Sequence, residues 1–179
     1  MNCCVPLWRA CAAAVLMAAA GVAQAEDYLS GEQFLASAFA DTRPEQKTLW
    51  ISNDMRQRAQ ESIGVVPSSL RVRYWSAGAR TAWVLEQIGK EQPITLGFVI
   101  EAERIVDVQV LSFRESRGWE IRYPFFTAQY RGVALREGRA LSREVDGITG
   151  ATLSVRAVNR AATLALWLNG QALASVATR

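Results

Sequence analysis

The sequence predicts an α+β fold, a curved antiparallel sheet with helices packed on it. In the middle of the chain apolar residues alternate with polar ones over several short segments, which is the period of a strand. On either side of this region apolar residues recur every three to four positions, which is the period of a helix. The 179 residues are enough for one domain with a hydrophobic core.

The helices are predicted from their start and stop signals. Ser30-Gly31-Glu32-Gln33 has the pattern of a capping box, and a short helix over residues 34–39 should follow it. Apolar residues at spacing four predict a second helix over residues 53–64, which ends on a glycine. A terminal helix after residue 154 should end at Asn169-Gly170.

Strands are predicted where the alternation is clearest, at residues 70–74, 81–88, 94–100 and 106–110. In the last of these, Val106, Val108 and Val110 should share the buried face. Glu101 to Arg104 would connect the last two strands. This turn lacks the glycine that a tight hairpin prefers, so a longer connecting loop is the alternative.

The first 25 residues have the pattern of an export signal. Arg9 is their only charged residue, an apolar stretch covers residues 10–22, and Ala23-Gln24-Ala25 has the small-x-small form that signal peptidase cuts. Cleavage after Ala25 would leave Glu26 first and place the protein in the periplasm or another extracytoplasmic space. An uncleaved membrane anchor is the alternative, although the apolar stretch is short for a span.

The composition excludes several kinds of chemistry. The chain has no histidine, and its three cysteines lie at positions 3, 4 and 11, within the predicted signal. Catalysis by Ser-His-Asp or Cys-His is therefore excluded, and ordinary zinc, copper and iron–sulfur sites lose their ligands. We expect no metal, and a redox role would need an organic cofactor. The net charge of +3 is too small to indicate nucleic-acid binding.

A segment with several hydroxyls precedes the terminal helix: Asp146-Gly147-Ile148-Thr149-Gly150-Ala151-Thr152-Leu153-Ser154. Its glycines permit a tight backbone, and the free N–H groups of a helix N-terminus favour a phosphate. The same residues are also typical of a polar turn in which Thr152 or Ser154 caps the helix. The residues alone favour that simpler interpretation.

This segment resembles the flavinylation motif of the FMN-binding domain family, which includes subunits of the sodium-pumping quinone reductase and of the related Rnf electron-transport complex. The family pattern is an aspartate, two residues, Ser/Thr-Gly-Ala-Thr, one residue and Ser/Thr, and all of these positions match. In that family a flavin transferase joins the phosphate of FMN to the last threonine of the core. The resemblance therefore implies covalent FMN on Thr152. The site would also include Asp146, Thr149, Gly150, Ala151, Leu153 and Ser154.

The resemblance extends over roughly residues 81–169. A hairpin, then Glu115-Ser116-Arg117-Gly118-Trp119, then an aromatic stretch ending at Gly132 is similar to the order in the family. Glu115, Arg117, Gly118 and Trp119 are therefore expected in the FMN site. Trp119 and the Arg117-Gly118 pair would contact the isoalloxazine ring, although a place in the core is an equal alternative for Trp119.

The remaining aromatic residues of this stretch, Phe125, Phe126 and Tyr130, are expected in the core. The chain would thus divide into a signal peptide (residues 1–25), an N-terminal extension of helix and strand (26–80) and an FMN-binding domain (81–179). Asp146 is the only acid close to Thr152 in sequence, and no histidine is present to activate the threonine hydroxyl. A separate flavin transferase should therefore attach the FMN.

The resemblance implies an exported flavoprotein that transfers electrons in an extracytoplasmic or membrane-associated redox chain, with a membrane redox partner. We therefore expect an electron-transfer flavoprotein and not a stand-alone enzyme. Two alternatives remain open: a flavin-dependent reductase of a small molecule, and a non-redox binding protein with the same fold. The sequence specifies neither the electron donor and acceptor nor the oligomeric state.

Overall fold

The computed structural model describes residues 26–40 and 42–177. It confirms the α+β class, with α-helices packed on one main antiparallel sheet. The predicted signal peptide lies outside the described residues. Among the residues that are described, no helix combines the length and apolar character needed to span a bilayer.

The main sheet has six strands in the order β1-β6-β5-β4-β3-β2, and every neighbouring pair is antiparallel. These strands are β1 (Glu26–Asp27), β2 (Glu45–Trp50), β3 (Arg71–Ala77), β4 (Arg80–Ile88), β5 (Pro93–Glu101) and β6 (Arg104–Phe113). A small hairpin contains β7 (Leu135–Arg136) and β8 (Ala140–Leu141). The helices are α1 (Gly31–Phe39), α2 (Asn53–Ile63), α3 (Pro124–Thr127) and α4 (Thr152–Ala177).

The predicted signals at the first two helices are confirmed. The Ser30 hydroxyl accepts a hydrogen bond from the Gln33 N–H at 3.1 Å, and the Gln33 side chain accepts one from the Ser30 N–H at 2.9 Å. This pair is the expected capping box. Helix α2 ends at Gly64, whose φ of 66° is the left-handed conformation that glycine adopts without steric cost.

The predicted end of the terminal helix at Asn169-Gly170 is wrong, because α4 continues to Ala177. The Asn169 side chain is buried and accepts a hydrogen bond from the Thr81 hydroxyl at 2.7 Å. It therefore joins α4 to β4 instead of capping the helix. Ala172 is also buried, so the apolar face continues for a further turn.

Helices cover the sheet on both faces. Helix α4 packs on one face over the larger hydrophobic cluster, and α1 packs on the other over a smaller cluster that includes Phe34 and Val99. Gly97 makes the second contact possible, because a Cβ atom on it would lie 2.7 Å from the Phe34 ring. The absence of a side chain at this position therefore lets α1 approach β5 closely.

The prediction that Val106, Val108 and Val110 share one face is wrong for Val106. The register between β5 and β6 shifts at Val99/Ile100, and Val106 packs with the smaller cluster while Val108 and Val110 lie in the larger one. A second shift lies at Thr95/Leu96. Such β-bulges bend a strand and increase its twist, which accounts for the expected curvature.

The turn between β5 and β6 is tight despite its lack of glycine. Glu101 pairs with Arg104, so only Ala102 and Glu103 form the loop, with φ values of 48° and 60°. Both residues therefore adopt the left-handed conformation that a two-residue hairpin requires.

The segment before residue 80 contributes two strands, β1 and β2, that the alternation of apolar and polar residues does not predict. Strand β2 carries charged and polar side chains and buries only Leu49 on the sheet, so it has no clear period. Strand β1 has two residues, which pair with Phe113 and Ser112 of β6. Because β3 also pairs with β4, strands from both sides of residue 80 form one sheet.

Candidate functional site

Helix α4 begins at the centre of the motif. Thr152 is its first residue, and the carbonyl of Ala151 accepts the first helical hydrogen bond, from the Val155 N–H at 2.9 Å. Ala151 is therefore the N-cap, and the interpretation of Thr152 or Ser154 as the capping residue is wrong. The N–H groups of Thr152, Leu153 and Ser154 have no carbonyl acceptor within the helix.

The turn before α4 leaves the threonine hydroxyls accessible. The Ala151 N–H donates to the Ile148 carbonyl at 3.0 Å, and Gly150 has a φ of 84°. Thr149 and Thr152 are both exposed. A Cβ atom on Gly150 would meet nothing within 4 Å, so a large molecule has room to approach Thr152 from this side.

The other two polar residues of the motif differ from the threonines. Asp146 is exposed, and its N–H donates to the Gln129 side-chain oxygen at 2.8 Å, which fixes the start of the turn. Ser154 is buried, with 4% of its surface exposed. Only Thr149 and Thr152 therefore combine a hydroxyl with exposure to solvent.

Ser154 is buried against the second predicted segment. Gly118 has a φ of 90°, and a Cβ atom on it would lie 2.3 Å from the Ser154 hydroxyl oxygen and 3.4 Å from the Ala151 Cβ. The backbone of Gly118 therefore rests directly on the first turn of α4. The structure thus brings together the two segments that the sequence assigns to one site.

Glu115 fixes the neighbouring turn between β4 and β5. One of its carboxylate oxygens accepts hydrogen bonds from the N–H groups of Lys90, Glu91 and Gln92, at 2.5, 2.6 and 2.9 Å. This turn and the end of β6 are therefore held together by a single carboxylate. Glu115 also lines a cavity that it shares with Trp119 and Arg122.

A cavity of about 330 Å³ lies where β1 and β6 meet the segment after Gly118. Its lining residues are Tyr28, Phe113, Glu115, Ser116, Trp119, Arg122 and Tyr123. Trp119 is 42% exposed, so it is not a core residue. Arg117 is exposed and does not line this cavity.

The Arg122 guanidinium lies among three aromatic rings of this cavity. It is 4.5 Å from the ring centre of Tyr28, 5.3 Å from that of Trp119 and 5.1 Å from that of Tyr123. These are cation–π distances. The hydrogen bond to the Tyr123 hydroxyl raises the pKa of Arg122 further above its ordinary value.

Sequence reasoning missed Arg122, Tyr123 and Tyr28. One signal could have indicated Arg122: residues three apart lie on the same side of a 3₁₀ turn, and the segment Trp119–Arg122 is such a turn. No local signal indicates Tyr28, because β1 carries it to β6 from a distant part of the chain.

The prediction of core positions is confirmed for Phe126 and Tyr130 and wrong for Phe125. Phe126 and Tyr130 are fully buried, whereas Phe125 is 62% exposed. The two phenylalanines are neighbours in the short helix α3, so they project in different directions. The Tyr130 hydroxyl donates to the Asn159 side chain at 2.6 Å, and burial raises the pKa of this tyrosine.

These residues fit FMN at both ends of the molecule. The first turn of α4 offers free N–H groups, and its dipole is positive at that end, which suits a phosphate beside Thr152. The cavity around Arg122 has aromatic walls, on which a planar ring can stack, and one cationic side chain. Within the described part of the chain, no group of three or more acidic, histidine or cysteine residues could hold a metal ion.

Part of the chain matches a known protein family. Residues 89–166 match the family model of the FMN-binding domain. This chain contains an FMN-binding domain. The matched residues include both segments of the site, from the turn held by Glu115 to most of α4, and the chain is therefore a flavin-binding protein. Searches of curated proteins and of solved structures found no match.

The contact between Gly118 and Ser154 generates a stability prediction. We expect Gly118→Ala to lower the free energy of unfolding by roughly 2–4 kcal/mol, because it combines a positive φ with a clash in a closely packed position. Chemical denaturation followed by circular dichroism measures this change.

Gly147→Ala is the matched control, because a Cβ atom there meets nothing within 4 Å. Adding Ser154→Ala to Gly118→Ala removes the nearest atom and should restore part of the lost stability. Equal stability of Gly118→Ala and Gly147→Ala would show that Gly118 does not rest on α4 as described.

Proposed function

We propose that this protein carries FMN joined by a phosphoester to Thr152 and transfers electrons in an extracytoplasmic or membrane-associated redox chain. The observation that carries the proposal is the position of Thr152. Its side chain is exposed on the first residue of a 26-residue helix, and the first turn of that helix contacts Gly118, which directly precedes the cavity residue Trp119. FMN supplies the electron-transfer chemistry when it is bound.

The position of Thr152 supports attachment by a separate enzyme. As the threonine hydroxyl attacks the phosphorus of an activated flavin nucleotide, such as a flavin phosphoanhydride, it loses its proton to a base and the second phosphate group leaves; the chain has no histidine to accept that proton. The carboxylate of Glu115 is engaged by three N–H groups. Asp146 is exposed, where it is accessible to another protein. We infer that a flavin transferase supplies the base and recognises the exposed turn before α4.

The chain's own residues would then hold the phosphate and orient the ring. The N–H groups of Leu153 and Ser154 point along the axis of α4 toward its start, where a phosphate on Thr152 would lie. Trp119 offers a partly exposed indole to the ring. Arg122 offers a cation, held by the rings around it, that favours the reduced, anionic form of the flavin.

Covalent attachment is consistent with an exported protein. A carrier outside the cytoplasm cannot regain FMN that dissociates, and a phosphoester prevents this loss. Electrons would reach such a carrier through a redox partner in the membrane. We propose that the chain is processed after Ala25, which would leave two-residue strand β1 at the new N-terminus.

The first prediction concerns the attachment residue. Wild-type protein co-expressed with a flavin transferase should be heavier than the unmodified chain by one FMN less water. Thr152→Val should carry no covalent flavin, and intact-mass spectrometry measures both. Because the Thr152 side chain is exposed and does not cap α4, this variant should lose less than about 0.5 kcal/mol of stability.

Thr149→Ser is the control, because it keeps a hydroxyl at the second exposed position of the turn and should still be flavinylated on Thr152. Unmodified wild-type protein in the presence of a transferase that is active on a known substrate would contradict covalent attachment. Flavin retained by Thr152→Val would place the bond on another residue.

The second prediction concerns the cation beside the ring. Arg122→Gln should load FMN normally but lower its reduction potential by about 20 mV, since losing ~1 kcal/mol of charge stabilisation has this effect on a two-electron couple. Arg117→Gln removes an exposed arginine outside the cavity and should leave the potential unchanged. A lower reduction potential in Arg117→Gln, with an unchanged potential in Arg122→Gln, would show that Arg117 is the cation that stabilises the reduced flavin.

The third prediction concerns export. N-terminal sequencing of the protein from the extracytoplasmic fraction should begin at Glu26, because Ala23-Gln24-Ala25 has the form that signal peptidase cuts. A full-length chain retained in the membrane fraction would support the uncleaved anchor instead.

A further inference from the structure

Strands β3 and β4 pair over only half of their length. Their ladder runs from Ala77–Arg80 to Tyr74–Trp83 and then ends. Beyond it, residues 71–73 pair only with β2, and residues 84–88 pair only with β5. The two strands therefore diverge and leave a gap, which we name the β3–β4 cleft, between Arg71–Arg73 on one side and Val84–Glu86 on the other.

The cleft is a cavity of about 420 Å³ with walls of strand backbone. The hairpin has a two-residue loop, so Ala77 and Arg80 exchange hydrogen bonds, and every second residue from them points its main-chain groups at the opposite strand. Beyond the end of the ladder, these residues are Arg71, Arg73, Val84 and Glu86. Their N–H and C=O groups face the cleft as they would face a neighbouring strand.

The two faces of the cleft differ in chemistry. Its floor is formed by Val72, Leu85 and Leu164, which belong to the larger hydrophobic cluster or lie at its edge. On the opposite face stand the side chains of Arg71 and Arg73. Within residues 26–40 and 42–177, neither guanidinium makes a hydrogen bond or an ion pair.

One acidic residue also lies in this cavity. Glu86 accepts a hydrogen bond from the Thr95 hydroxyl at 3.1 Å, on the β5 side of the cleft, and forms no ion pair with either arginine. The three ionisable side chains of the cavity, Arg71, Arg73 and Glu86, therefore give it a net charge of +1. Trp50 and Leu70 stand at the rim with 69% and 66% of their surfaces exposed, in a groove that shares Arg71 and Arg73 with the cleft.

We propose that the β3–β4 cleft binds an extended acidic segment of another protein as an additional strand. Main-chain groups on both walls would pair with its backbone, which is how exposed strand edges bind peptides. Side chains of a strand alternate between two faces, so acidic residues would meet Arg71 and Arg73 while apolar residues between them would meet the floor. The ligand is therefore a segment with alternating acidic and apolar residues.

The recessed position of the cleft favours a peptide over a bilayer. A flat lipid surface could contact Trp50 and Leu70 at the rim, but it could not reach main-chain groups between two strands or the apolar floor. A small anion would satisfy the arginines and leave the floor uncovered. Only an extended chain uses the backbone, the charges and the floor together.

The test measures binding of a fluorescein-labelled peptide of alternating aspartate and valine by fluorescence anisotropy. The double variant Arg71→Gln/Arg73→Gln should weaken binding by about tenfold or more, since each lost charge-assisted hydrogen bond has an effect of that order. Arg136→Gln/Arg139→Gln is the matched control on the β7–β8 hairpin and should bind as the wild type does. Circular dichroism of both variants verifies that they are folded.

A second peptide tests the role of the backbone. Methylation of alternate peptide nitrogens, on the residues that would pair with the walls, should abolish binding while leaving every charge in place. Amide hydrogen exchange of residues 71–73 and 84–86 should slow when the unmodified peptide is added.

Several results would overturn the proposal. These are no binding by the wild type, equal binding by the cleft and control variants, and equal binding of the methylated peptide. Binding to vesicles that contain anionic lipid, lost in Arg71→Gln/Arg73→Gln while the peptide does not bind, would assign the arginines to a membrane surface. Because none of these measurements involves flavin, their outcome is independent of attachment at Thr152.

Discussion

The burial of Ser154 against Gly118 is the constraint on which the site depends. Successive residues of an α-helix are about 100° apart around its axis, so residues two apart lie on nearly opposite sides. With Ser154 packed under the Gly118 backbone, Thr152 must face solvent. The same contact sets the distance between the start of α4 and the segment that continues to Trp119. One close approach, which only a glycine with positive φ permits, therefore leaves the Thr152 hydroxyl exposed and joins the first turn of α4 to the segment that leads into the aromatic cavity.

This arrangement separates the tasks of the site among parts of the chain. The start of α4 presents main-chain N–H groups, the 3₁₀ turn after Gly118 provides Trp119 and Arg122, and Tyr28 directly follows β1. Only the last of these lies outside residues 89–166, which match the FMN-binding domain. The segment before that domain thus contributes to both candidate sites, because Tyr28 lines the cavity around Arg122 and β3 forms one wall of the β3–β4 cleft.

Features that depend on local contacts could be predicted from the sequence. The capping box at Ser30, the glycine end of α2 and the alternating strands are fixed by residues within a few positions of each other. Other features depend on contacts between distant residues. The sequence around Asn169 is typical of a helix end, but the Asn169 side chain is instead the partner of Thr81. The sequence likewise does not indicate that Ser154 packs against Gly118, which lies far from it along the chain. The cluster around Arg122 likewise requires β1 to pair with β6.

Tandem mass spectrometry of a tryptic digest tests the central claim most directly. Trypsin should release residues 144–156 as one peptide, which contains all three hydroxyls of the motif: Thr149, Thr152 and Ser154. In protein that has been flavinylated and exported, we expect the added mass of FMN on this peptide and its assignment by fragmentation to Thr152. A modified Thr149 or Ser154, or a peptide without FMN in protein that is yellow, would contradict the account of how this chain holds its flavin.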